Sequence, residues 1–204
     1  MHASGGVAAT AILLSVTESY RSLVLPQYDR IAVLGPMQTS ALVARGYPAA
    51  AIAEIGSPLL DAELGRWTRT EAIRHVGALV GRELDGKRMI LVATSGMRPA
   101  DELIWLGWLA AALETRPTLS AVVKIHRSTD PAPFHRRIGE IGQPRLSVTA
   151  AGEIYPFLVG SDVVITDVSH VGKLALYARR KLWVANISGE RFPFHRFEIG
   201  RAHV

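Results

Sequence analysis

The stretch Tyr155 to Asn186, YPFLVGSDVVITDVSHVGKLALYARRKLWVAN, constrains the fold more than any other. After Asp162 comes a short β-branched run, Val163 to Thr166, which stops at Asp167-Val168-Ser169-His170. An apolar helical pattern follows from Val171 to Ala178, and a second strand pattern from Leu182 to Ala185. Strand, polar turn, helix, strand is the grammar of a parallel sheet. In such a sheet the turn lies at the carboxyl end of its strand, where open α/β folds bind ligands. Hydroxyls in the turn and the free N–H groups of the next helix suit a phosphate.

The same grammar recurs upstream. Ile31 to Leu34 reads as a strand, Gly35-Pro36 opens a helix to about Arg45, Gly46 stops it, and Ile52 to Ile55 is a second strand. Ile73, Val76, Leu79, Val80 and Leu84 make one helix face. Met89 to Ala93 and Leu119 to Ile125 are unbroken apolar runs, expected of strands buried on both faces. A helix over Ala100 to Leu113 carries Trp105 and Trp108 one turn apart, placing that pair in the core or at a subunit contact. A short helix around Pro133 to Ile141, a brief strand at Leu146 to Val148 and a helix over Ala151 to Val159 follow. Alternation throughout predicts an α/β fold, a mostly parallel sheet with helices on both faces.

The hydrophobic content of 49% with 20% charged residues excludes a disordered chain. The net charge of +5 is carried almost wholly by arginine, the lysines being Lys87, Lys124, Lys173 and Lys181. Such an excess serves nucleic acid, an anionic membrane surface or a phosphorylated ligand. No block of five or six like charges exists, which argues against a nucleic-acid partner and leaves peripheral membrane association compatible. The chain has no cysteine, so disulfides and Cys-based zinc sites are excluded, and a reducing cytoplasm is compatible. The apolar run Val7 to Val16 is about half a membrane span and has no preceding Lys or Arg. It reads as a buried helix.

Three strand ends carry polar loops: Thr94 to Arg98, His126 to Asp130, and Thr166 to His170. In a doubly wound sheet they share one edge. Their hydroxyls, glycine N–H groups, histidines and arginines are all donors to a phosphate or diphosphate. No acidic cluster with metal spacing accompanies them, and no dinucleotide or Walker fingerprint occurs.

Four passages together resemble the nucleotide-binding, C-terminal half of the GT-B glycosyltransferases, in the branch of surface-polysaccharide enzymes, glycerophosphotransferases and UDP-N-acetylglucosamine 2-epimerases. They are IAVLGPMQTSALVARGYPAAAIAEIGSPLLD (Ile31 to Asp61), MILVATSG (Met89 to Gly96), VVKIHRSTD (Val122 to Asp130) and SDVVITDVSHVGKLALYARRKLWVAN (Ser161 to Asn186). Their order over roughly residues 20–190 is more specific than any one of them. The resemblance implies a Rossmann-like three-layer α/β/α domain over residues 31–200, preceded by a stub of residues 1–30. It implies a nucleotide-sugar or similar nucleotide-activated donor as substrate, with no cofactor and no metal. By position, His126 becomes the catalytic contact to donor phosphate, flanked by Lys124 and Arg127. Ser169 and its neighbours Thr166, Asp167 and His170 hold phosphate at the helix start, and Ser95 and Gly96 line the cleft. Simpler roles stand beside these: a strand-end cap for His126, a turn brace for Asp167, an N-cap for Ser169.

The chain departs from the family pattern at Arg127, where proline is usual, and at Leu174, where a ribose-binding glutamate is usual. Arg179-Arg180-Lys181 stands where Gly-Lys-Pro is usual. A GT-B enzyme places its active site between two such domains, so the resemblance implies an acceptor-domain partner or a homo-oligomer. Two functions follow: a glycosyltransferase-like donor half, or a non-catalytic nucleotide-binding or assembly subunit.

Overall fold

A computed structural model of the protein describes residues 10–12, 29–84, 86, 88–96, 99–167 and 169–185. The chain forms two compact units, Met1–Ala62 and Glu63–Val204.

In the first unit, β1 (Thr10–Ile12), β2 (Arg30–Val33) and β3 (Ile52–Glu54) form a parallel three-stranded sheet in chain order. Helix α1 (Pro36–Val43) begins with proline in its first turn, where the missing N–H costs nothing. Gly46, at φ 88°, takes the left-handed conformation just beyond its end. Ile31, Val33 and Leu42 are the buried core, with Tyr47 and Ile52 packed against it. The Thr39 hydroxyl donates to Glu54 Oε1 at 2.7 Å, tying α1 to β3.

One expectation is corrected here. Residues Thr10–Ile12, inside the run expected to be helical, form a strand paired with Arg30, Ile31 and Ala32. A short apolar run carries no decisive period, and the parallel neighbour decides its state. The compact units divide at Ala62, inside α2 (Pro58–Gly65). That helix was not anticipated. Pro58 starts it, and Ser57 Oγ accepts from Leu60 N–H at 3.3 Å.

The second unit is a wholly parallel five-stranded sheet, ordered β6-β5-β4-β7-β8. Its strands are β4 (Arg88–Ala93), β5 (Leu119–Lys124), β6 (Leu146–Thr149), β7 (Val163–Thr166) and β8 (Lys181–Val184). The chain starts at the central strand, runs outward to β5 and β6, then returns to the other side of β4 for β7 and β8. The order reverses between β4 and β7, which opens a crevice at the carboxyl ends of those strands.

Helices α4 (Pro99–Glu114) and α5 (Ala132–Ile141) pack on one face, around Leu106, Leu113, Val123 and Phe134. Helices α3 (Arg69–Val80), α6 (Ile154–Gly160) and α7 (His170–Tyr177) pack on the other, around Val76, Leu91, Phe157 and Val164. The three-layer α/β/α arrangement expected from the alternation is present. Trp105 is buried in the α4 core, while Trp108 is 61% exposed, so the two tryptophans have different surroundings. Thr68 and Glu71 form a reciprocal capping box at the start of α3. The Arg145 guanidinium donates to the carbonyls of Leu113, Arg116 and Leu119, satisfying the end of α4. Among the described residues no helix is long and apolar enough to cross a membrane.

Candidate functional site

Parallel pairing puts the loops after β4, β5 and β7 on one edge, with β4 between the other two strands. The edge expected from the sequence is therefore real.

The β4 loop is built first. Thr94 is buried, and its hydroxyl accepts from the His126 N–H at 2.8 Å, which fixes the start of the β5 loop. Gly96 has φ +73°, a left-handed conformation that L side chains rarely adopt. A Cβ at this glycine would lie 2.9 Å from His126 Nδ1 and 2.9 Å from Thr129 Oγ1. The missing side chain is what lets the histidine seat against the loop.

The His126 ring is half-buried. Its Nδ1 lies 2.7 Å from Ser128 Oγ and accepts the Ser128 N–H at 3.3 Å. A nitrogen that accepts an amide proton carries a lone pair, so the neutral ring bears its proton on Nε2. His126 thus offers an N–H donor, the form needed at a phosphate oxygen.

The β7 loop supplies a helix start. Ser169 is buried, and its Oγ accepts from Val171 N–H at 3.2 Å as the N-cap of α7. The Ser169 N–H itself bonds the Asp167 carbonyl at 2.8 Å. Asp167 is buried, His170 is exposed in the first turn, and Arg127 is exposed on the β5 loop. Partial desolvation, together with Lys173, pushes the His170 pKa below the ordinary imidazole value. At neutral pH it is a hydrogen-bonding group without charge. Ser169→Ala is expected to lower stability by about 1 kcal/mol, the usual value of an N-cap, and Ser169→Gly by only a few tenths. Urea unfolding of the two variants measures that difference.

Several predicted site residues have other engagements. The Ser95 N–H and hydroxyl and the Gly96 N–H all donate to Glu102 Oε1, at 2.6, 2.9 and 3.1 Å. Those donors are engaged by the buried carboxylate. Thr166 is fully buried, and its hydroxyl donates to the Ala93 carbonyl at 2.9 Å, joining β7 to β4 beneath the loops. Lys124 donates to the Ala150 carbonyl at 2.8 Å and lies 5.9 Å from the centre of the Phe157 ring. Burial lowers its pKa, opposed by Glu153. Leu174, at the position compared with a ribose-binding glutamate, packs against the apolar cluster beneath α7.

Sequence reasoning placed Thr94 and Thr129 in the polar loops without an individual role, and missed Glu102. Glu102 had a readable signal. It shares a helix face with Trp105, Leu106, Leu109 and Leu113, so it is an acid inside an apolar stripe, and it is only 2% exposed.

No family model matches the chain, and no curated protein is similar to it in sequence. Solved structures are similar in fold. The UDP-GlcNAc 2-epimerase of Methanocaldococcus jannaschii superimposes with a TM-score of 0.57 at 13% identity, over 85% of this chain and 53% of that one. The Neisseria meningitidis UDP-GlcNAc 2-epimerase, solved bound to UDP-GlcNAc, gives 0.55 at 15% identity, over 77% of this chain and 44% of that one. The wall teichoic acid polymerase TagF gives 0.51 at 16% identity, over 77% of this chain and 38% of that one. The chain therefore spans about half or less of the length of these proteins. At such identities the likeness establishes the fold alone, a Rossmann-like three-layer α/β/α domain.

Proposed function

We propose that the second unit binds the diphosphate of a nucleotide-activated donor, a nucleotide sugar or a close analogue. In this reading the chain is the donor half of a glycosyltransferase-like protein of surface-polysaccharide synthesis. The observation that carries the proposal is the shared edge at the strand-order reversal. There His126, with its proton on Nε2, and the Ser169-capped start of α7 follow β5 and β7 on either side of β4.

An imidazole N–H, the first turn of a helix and the exposed Arg127 are all complementary to phosphate oxygens. The same groups stabilise the charge that gathers on a nucleoside diphosphate as it leaves the transferred sugar. The epimerase solved with UDP-GlcNAc has a domain of the same fold, which supports this ligand class.

One observation favours a second reading, a nucleotide-binding or assembly subunit without transfer activity. Leu174 faces the core, so this helix position offers no carboxylate to a ribose.

Calorimetric titration of the chain with UDP, CDP and their sugar conjugates tests both readings. Binding of at least one nucleotide is expected. His126→Ala should then weaken it roughly tenfold to a hundredfold, the loss of a hydrogen bond to a charged group. Turnover on addition of an acceptor supports transfer, and binding without turnover supports the subunit reading. Absence of binding to every nucleotide overturns the donor-site reading and leaves only an assembly role.

A further inference from the structure

We infer that Glu102 is a positioning residue, an internal anion that fills the donor cradle of the β4 loop and thereby seats His126. This rests on the nucleotide-binding reading of the same edge and deepens it. The carboxylate comes from the first turn of α4 and is 2% exposed. Its Oε1 gathers the two backbone N–H groups of Ser95 and Gly96 and the Ser95 hydroxyl. Its Oε2 is buried with no hydrogen-bond partner among the described residues. A buried carboxylate with an unmatched oxygen is costly, so a chain that only needed a filled core would place an apolar residue there.

The three bonds to Oε1 give the cost a purpose. Successive N–H groups in a tight loop form a concave anion site. Here the site already holds an anion, so a ligand phosphate does not enter it. The loop is instead held rigid in the conformation that gives Gly96 its positive φ. That conformation puts the Gly96 backbone against the imidazole, close enough that a Cβ would lie 2.9 Å from Nδ1. Thr129, whose buried hydroxyl has no hydrogen-bond partner among the described residues, closes the other side of the same contact. The coupling runs from Glu102 through Ser95 and Gly96 to His126. In consequence the diphosphate is recognised between the β5 and β7 loops, and the β4 loop acts as their fixed wall.

Nuclear magnetic resonance on the whole chain tests the inference without any ligand. In the wild type, the Ser95 and Gly96 amide signals and the His126 ring signals should follow the side-chain carboxyl carbon of Glu102 through its pH titration. Titration of Glu102 that leaves them in place overturns the inference. Two variants add a second arm. Glu102→Gln keeps the acceptor oxygen without the charge, so it should hold the Ser95, Gly96 and His126 signals where the protonated wild type puts them, and should weaken UDP or CDP binding less than Glu102→Ala does. Glu102→Ala should shift those ring signals and weaken nucleotide binding about tenfold. A folded Glu102→Ala protein with wild-type His126 signals also overturns it, and if that variant does not fold, the wild-type titration decides. A wild type that shows the coupled titration but binds no nucleotide rejects the nucleotide reading and leaves the Glu102 assignment standing.

Discussion

Gly96→Ala is expected to lower unfolding stability by ~1–3 kcal/mol, the range for a non-glycine residue held in a sparsely populated backbone region. It should also weaken nucleotide binding severalfold or more. Both effects come from one atom. At φ +73° a Cβ is strained whatever the surrounding space, and here the space is also filled, by His126 Nδ1 and Thr129 Oγ1 at 2.9 Å each. The imidazole has to move, and it is the group proposed to meet the phosphate. Gly142→Ala separates the two causes. Gly142 has φ +65° at the end of α5, and nothing lies within 4 Å of its Cβ position. That variant should lose stability through backbone strain alone and keep wild-type nucleotide affinity. Urea unfolding with calorimetric titration reads both quantities. Equal affinities for the two variants would mean that the Gly96 contact does not position His126.

Asp162→Ala should destabilise the second unit by ~1–3 kcal/mol, the cost of leaving a buried donor without an acceptor. Asp162 Oδ2 accepts the Met89 N–H at 2.8 Å and a proton from Arg69 Nη2 at 2.7 Å, at the end of the sheet away from the site. Met89 is wholly buried, so the acceptor is not replaced by bulk water. The Arg69 pair adds little, since both side chains are about a third exposed or more. Charge balance adds a further penalty. Arg180 has its pKa lowered by burial and by Arg69, and Asp162 opposes that shift. Without the carboxylate, two guanidinium groups repel each other. Asp162→Asn keeps an oxygen for Met89 and removes the charge, so it should cost less than Asp162→Ala. If added salt narrows the gap between Asp162→Asn and wild type, that part is electrostatic. Identical unfolding midpoints for Asp162→Ala and wild type would show that the strand start does not depend on this residue.

Much of the fold was legible because strands buried on both faces leave unbroken apolar runs. Met89 to Ala93 and Val163 to Thr166 were readable from residue type alone, as were glycine stops such as Gly46. Less legible were Thr10–Ile12 and α2. The first is too short to show a period. The second starts with Pro58, which ends the preceding strand as convincingly as it opens a helix.

For the site, the sequence by itself determined which residues follow each strand, because parallel strands leave all such loops on one edge. His126 and Ser169 were assigned to that edge in this way, and Ser169 carries the N-cap role that its residue type suggests. What the loops do with their donors was decided only by tertiary structure. The Ser95 and Gly96 N–H groups, available to a phosphate on paper, are taken by Glu102 from the facing helix. Thr166 is sealed beneath the loop by the Ala93 carbonyl, and Lys124 is drawn to Ala150. A hydrogen-bond donor binds the acceptor that packing brings within about 3 Å. Sequence order names the donors, but only the packing of α4 against β4 and β5 chooses among their acceptors.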